Sequence, residues 1–217
     1  MIAKCLTGAA ALGVLALSAQ AGTVTKTYGP GYGGAIPDND AIGYISPVVV
    51  AESFAIQSIQ VRIYGLDHGY SSDLTIELRH SGVGTPTTLV TNLGFGEDAD
   101  FNGDYVFEDS GANLWTVAGT VCCLEDLPPG SYQASGSGGA VISLDARYIG
   151  EDAEGPWVLR IYDDDFLVSG GFTGWELVLG GAPACPGDIP GDVNHDGVVD
   201  IADLNTVLFN FGMVCGA

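Results

Sequence analysis

Positive charge is scarce in this chain: six Lys and Arg stand against 27 Asp and Glu in 217 residues, a formal net charge of −21. A surface this acidic repels phosphate backbones and anionic lipid, so nucleic acid and membrane surfaces are not expected partners. Long apolar runs are scarce too. Only Leu6–Leu17 is uncharged and apolar at length, and it falls short of the about 20 residues that a spanning helix needs. Helical periodicity is missing before Ile201, and the histidines are limited to His68, His80 and His195. No Gly-x-Ser-x-Gly motif occurs, and a serine protease draws Asp, His and Ser from separate segments of a domain about twice this long. No acidic pair stands out among so many carboxylates as a glycosidase pair. The expectation is a chain that is not an enzyme. Disorder is excluded as well, because 47% of the residues are hydrophobic.

The N-terminus has the pattern of a secretory signal: Lys4, the apolar run Leu6–Leu17, then the small-residue step Ala19-Gln20-Ala21. Cleavage after Ala21 would leave Gly22 first and place the protein outside the cell, with a net charge of −22 once Lys4 is gone (5 − 27). A lipid anchor on Cys5 is the poorer alternative, since that cysteine precedes the apolar run. Four cysteines would then remain, Cys122, Cys123, Cys185 and Cys215, and an oxidising compartment favours pairing them. Cys185 and Cys215 bracket the last part of the chain, and joining them would stabilise it by roughly 3.5–4 kcal/mol in the chain-entropy account. Cys122 and Cys123 are left as a strained vicinal bridge or two free thiols.

What is abundant is glycine, 33 residues, and two-residue alternation. Ile59, Val61 and Ile63 alternate with Gln60 and Arg62; Leu74, Ile76 and Leu78 alternate with Thr75, Glu77 and Arg79. Trp157, Leu159 and Ile161 repeat the pattern, as do Trp175, Leu177 and Leu179. Turn clusters at Gly29–Gly34, Asp67–Ser72, Gly82–Pro86, Gly94–Asp104, Ser135–Gly139, Asp163–Asp165 and Gly170–Gly174 separate the runs. The expected fold class is all-β, an antiparallel β-sandwich or jelly roll over residues 22–181, with a small calcium loop and helix over 182–217.

The calcium loop is the sharpest motif. Asp192, Asn194, Asp196, Asp200 and Asp203 put oxygen donors at loop positions 1, 3, 5, 9 and 12, and Gly197 takes position 6. Val198 at position 7 would supply its carbonyl. Calcium accepts such a set because it is a hard cation surrounded by 6–8 oxygens. A helix is expected over Ile201–Phe211, burying Leu204, Val207, Leu208 and Phe211 and stopped by Gly212. Aspartate at position 12, with no helix before the loop, resembles the repeat of type I dockerins. That resemblance implies calcium and a cohesin-like partner, although a dockerin has two repeats and this chain has one.

The β region carries a second resemblance. Ile36-Pro37-Asp38-Asn39, Ile59–His68, Ser72–Leu78, Gly84-Thr85, Phe107 with Asp109, Pro128–Tyr132, Gly155–Asp163 and Gly174–Leu177 follow one another in order. Together they resemble the P domain (P/Homo B domain) of subtilisin-like proprotein convertases, over about Tyr28 to Leu179. The proline such domains carry at the step Ser81-Gly82 is absent here. The resemblance implies a jelly roll that regulates or stabilises a serine endopeptidase, with His68 in a structural hydrogen bond.

Three further readings concern the sandwich. Asp67, Asp73 and Asp163–Asp165 are candidates for a second cation site at one end, against the plainer use of aspartate in turns. Asp98, Asp100, Asn102, Asp104 and Asp109 resemble a calcium loop weakened by Val106 at position 9. Tyr70, Tyr105, Trp115 and Tyr132 are expected in loops, where they could stack on a glycan, while Trp157 and Trp175 are expected in the core. The function these features imply is a secreted, non-catalytic, calcium-binding interaction module. The alternatives are a carbohydrate-associated module and an accessory P domain acting on a serine endopeptidase in trans.

Overall fold

The computed structural model describes residues 24–94, 99–121, 125–181, 193 and 199–211. The chain divides into two compact units: Thr23–Ala184 forms one, and Cys185–Ala217 belongs to the other. The larger unit is an all-β sandwich. Its strands are β1 (Val24–Ile36), β2 (Asp40–Val50), β3 (Ile56–His68), β4 (Leu74–His80), β5 (Val83–Thr91) and β6 (Asp100–Asn113), then helix α1 (Leu114–Ala118). They continue with β7 (Asp126–Leu127), β8 (Gly130–Ser135), β9 (Val141–Ile142), helix α2 (Leu144–Tyr148), β10 (Gly155–Asp163) and β11 (Gly170–Gly181). The larger sheet has the order β1-β11-β3-β6-β8-β9, with β7 also beside β6; the smaller is β2-β10-β4-β5.

Alternation decides which face each strand buries. Ile59, Val61, Ile63, Leu177, Leu179 and Phe107 point inward from the larger sheet, and Leu74, Ile76, Leu78, Leu159 and Ile161 meet them from the smaller one; all are buried. Each sheet also contributes one fully buried tryptophan, as expected. Trp157 of β10 stacks on His80 at 4.1 Å and donates its indole N–H to the Ala153 carbonyl at 3.0 Å. Trp175 of β11 donates to Ser46 Oγ of β2 at 3.0 Å, a hydrogen bond between the two sheets.

Several strands run where turns were expected. Gly29–Gly34 lies inside β1, which bulges against β11 between Tyr28 and Gly31. A side chain at Gly31 would occupy the space of the Trp175 ring. Glycine is needed there to let a large ring lie on the backbone. Likewise Asp100, Asn102 and Asp104 belong to β6, not to a loop. The sandwich is also not purely antiparallel, because β6 pairs in parallel with both β7 and β8. The connection through α1 gives the chain the length that a parallel return requires. Two short helices, α1 and α2, escaped the periodicity because five residues make less than two turns.

The outer faces of the sheets differ in character. Outside the larger sheet, Arg62 donates to Gln60, which donates to Glu108; Tyr64 donates to Glu176 at 2.7 Å. Outside the smaller sheet, Ile45, Pro47 and Val49 line up beside Arg160, Val158 and Pro156. Arg79 and Glu77 complete these rows on β4.

At one end of the core, His68 and Asp163 are buried together, with Nε2 3.2 Å from Oδ2. This is the structural hydrogen bond expected for His68. The second carboxylate oxygen of Asp163 accepts the Asp165 amide at 2.9 Å, so one side chain ties the core to the β10–β11 turn. Asp163→Ala leaves both donors unmet and should cost about 3 kcal/mol, the low end for breaking a buried pair. Asp165→Ala, on an exposed side chain, should stay within about 0.5 kcal/mol. Urea unfolding of both variants decides it; equal midpoints would refute this role for Asp163.

A second prediction concerns alkali. Burial pushes the Tyr105 hydroxyl from 10.0 up to about 12, and it donates to the Leu127 carbonyl at 2.8 Å. The folded chain therefore holds this proton more tightly than the unfolded chain does. Its contribution to stability is complete below about pH 10 and is lost as pH rises towards 12. Phenolate absorbance and tryptophan fluorescence, followed together, should show a late tyrosine fraction that ionises only as the fluorescence changes. Ionisation of all nine tyrosines with fluorescence unchanged would overturn it.

Candidate metal centre

Helix α3 (Ile201–Asn210) starts where a polar residue can accept its first free amides. Asp200 is that residue: its backbone is extended, and its Oδ1 accepts the Ala202 amide at 2.7 Å. Asp203, three residues on, returns the favour by accepting the Asp200 amide through Oδ2 at 2.7 Å. The two carboxylates thus form a capping box, worth about 1 kcal/mol or more at a helix start. Both negative charges also sit at the positive end of the helix dipole.

Asp203 reaches further back than capping alone requires. Its Oδ1 accepts the Val193 amide at 2.7 Å, across ten residues of chain. Val193 is position 2 of the predicted loop, Asp200 is position 9 and Asp203 is position 12. One carboxylate therefore holds the first and last parts of the loop to each other, and it is only 3% exposed. A carboxylate has about four lone-pair sites, of which these amides use two.

Of the six predicted ligands, Asp200 and Asp203 are described; Asp192, Asn194, Asp196 and Val198 lie outside the described residues. Among the described residues, no three His, Cys, Asp or Glu side chains come together as metal ligands. The two that are described fit a hard cation in different ways. Asp203 faces back towards the start of the loop. Asp200 spends one oxygen on the helix, which suits a position often linked to calcium through water. The expected Cys185–Cys215 pairing, and Cys122 and Cys123 with their two alternatives, also fall outside the described residues.

The helix itself departs from expectation. Leu204, Val207, Leu208 and Phe211 are 51%, 43%, 61% and 85% exposed, and Phe209 is 83% exposed. The predicted stripe is present, but ten residues of helix leave it uncovered. The C-cap is Phe211, one residue before the predicted stop.

The other sequence candidates resolve into structural roles. At the end of the sandwich, Asp164 donates its amide to the Asp73 carbonyl at 3.1 Å, and its side chain accepts from Asn92 at 3.4 Å. Ser72 donates to Asp73 at 2.8 Å. These aspartates stitch the β3–β4 turn to the β10–β11 turn through hydrogen bonds. In β6, Asn102 donates to Asp126 at 2.9 Å, Asp104 accepts the Gly65 amide at 2.7 Å, and Asp109 accepts the Leu144 amide at 2.7 Å. They point to separate neighbours, so the second calcium loop read over Asp98–Asp109 is replaced by a strand. Asp98 itself lies outside the described residues. Of the aromatics expected in loops, Tyr105 and Tyr132 are buried on strands and Trp115 is partly buried on α1. Tyr70 alone among the four is largely exposed, at 41%. His80, also buried, stacks on Trp157.

Among the described residues, no helix is long and apolar enough to cross a membrane. The chain matches no protein-family model and no curated protein. Among solved structures it is similar to the serine protease of Aeromonas sobria in complex with the chaperone ORF2, at 19% identity and a TM-score of 0.44. That match covers 75% of this chain and 28% of the other. The serine protease of Aeromonas sobria on its own matches at 18% identity and a TM-score of 0.42, covering 74% of this chain and 27% of the other. The chain thus spans little more than a quarter of the length of either neighbour.

Proposed function

We propose that this chain is a secreted, non-catalytic interaction module in which calcium orders a C-terminal loop and helix for contact with another protein. The supporting observation is the division of labour in α3. Asp203 is buried and turned back on the loop, while Leu204, Leu208, Phe209 and Phe211 stand in solvent. Exposed apolar side chains on so short a helix are ordinarily covered by a partner. Calcium would be held by Asp192, Asn194, Asp196, the Val198 carbonyl, Asp200 and Asp203, and would neutralise carboxylates that otherwise repel one another. The dockerin resemblance makes a cohesin-like protein the first partner to try. The P-domain resemblance of the sandwich gives a serine endopeptidase acted on in trans as the second.

Calcium titration of the full chain by calorimetry, with circular dichroism in calcium and in chelator, tests this reading. Binding at millimolar calcium or tighter is expected, and chelation should reduce the helical signal while most of the β signal persists. Asp203→Ala removes a ligand and both amide contacts, so it should weaken binding by more than about tenfold, beyond what outer-shell changes cost. A full chain that takes up no calcium at millimolar metal would end the proposal.

A further inference from the structure

We propose that the outer face of the smaller sheet is a contact surface for a second copy of this chain. The strands of that sheet contain three acidic residues, Asp40, Glu77 and Asp163, whereas those of the larger sheet contain seven. Asp163 is buried and Asp40 is occupied at the start of β2 by the Ile42 amide. Among the described residues, Glu77 is therefore the one carboxylate of these strands in the middle of the outer face, and its side chain is only 14% exposed. Around it, Ile42, Ile45 and Val49 are 69%, 55% and 68% exposed, and a contiguous apolar patch on an otherwise charged protein marks an interaction site.

Charge selects the occupant. Two of the six basic residues, Arg79 and Arg160, lie on this face. Arg160 is consumed locally: it stacks over Tyr162 at 4.2 Å, bonds Glu77 at 3.1 Å and donates to the Ile42 and Ala41 carbonyls. Arg79 is not. Its bond to Glu77 is long, 3.4 Å, and its side chain is 49% exposed. So long a bond to an exposed guanidinium holds Arg79 only loosely, and Arg79 can exchange partners. A two-fold contact needs a surface complementary to itself. Glu77 and Arg79, two apart on β4, supply both signs on one face. Across a two-fold axis, the exposed Arg79 of one copy would approach the second carboxylate oxygen of the other copy's Glu77, whose first oxygen keeps its bond to Arg160. Four strands about 4.8 Å apart and about 30 Å long offer roughly 550 Å2 per copy. A pair would bury about 1,100 Å2, just above the roughly 1,000 Å2 needed for a specific interface.

Salt gives the test its direction. Two chains of charge −21 repel at a distance, so screening should strengthen a contact whose near-field part is apolar. Sedimentation of the full chain over a concentration series should show a monomer–dimer equilibrium at least about tenfold tighter in high than in low sodium chloride. Chelator should leave it unchanged, so it fails or succeeds independently of calcium binding. Ile45→Glu and Val49→Glu put a carboxylate on the face and should give monomers, with circular dichroism checking the fold. Val49→Thr, which keeps strand preference, should weaken the dimer if either Glu variant misfolds. Leu208→Glu on α3 should leave this monomer–dimer equilibrium as it is. A chain that stays monomeric in high salt overturns the proposal. So does a dimer that survives the face variants, loosens with salt, or is lost only in Leu208→Glu.

Discussion

Two buried indoles impose the main constraint on this molecule. An indole brings large apolar area into a core together with one N–H that must find an acceptor there. Trp157 meets that demand within its own sheet, through the Ala153 carbonyl just before β10. Trp175 meets it across the core, through Ser46 of the opposing sheet. That second bond fixes the height of β11 against β2, so the relative position of the sheets is specified by direction as well as by packing. The ring of Trp175 then lies on Gly31 and sets where β1 can run. Removing either ring would leave a cavity and, on the far side, a polar group without its partner.

The C-terminal unit is organised on a different principle. Among its described residues little apolar area is buried, and the stripe of its helix faces water. Order comes instead from a carboxylate that gathers backbone amides. Asp203 draws in Val193 and Asp200, and Asp200 starts the helix. Glutamate at the same position would be one methylene longer. The shorter aspartate brings the Val193 backbone closer to the start of the helix. Negative charge serves in both units, but in the sandwich it is dispersed over turns and caps, as at Asp109 and Asp163.

How far the sequence was legible depended on how local the determining contacts were. Alternation in β3, β4, β10 and β11 was readable because each strand's buried face is written in its own residues. A structural hydrogen bond at His68 was expected from the resemblance of the β region, although its partner, Asp163, was not. By contrast, β1 and the start of β6 read as turns, because glycine and aspartate are turn residues in isolation. What makes them strands lies far away: Trp175 over Gly31, and Gly65 and Asp126 beside β6. Tyr105 was misplaced for the same reason, since its hydroxyl bonds the Leu127 carbonyl within the core. At the proposed calcium loop the spacing named the candidate donors. It did not show that Asp203 also works as a hydrogen-bond acceptor, although the Asp-x-x-Asp step between Asp200 and Asp203 could have suggested a cap.

The bulge in β1 has a consequence for how copies of this protein can associate. β1 ends the larger sheet, and a smooth end strand invites another chain to pair with it and extend the sheet. Here the register against β11 shifts between Tyr28 and Gly31, and Pro30 offers no amide hydrogen to an incoming strand. An added strand could follow β1 for only a few residues before losing its ladder. Growth by edge-to-edge templating, the geometry of fibrils, is therefore interrupted at this border.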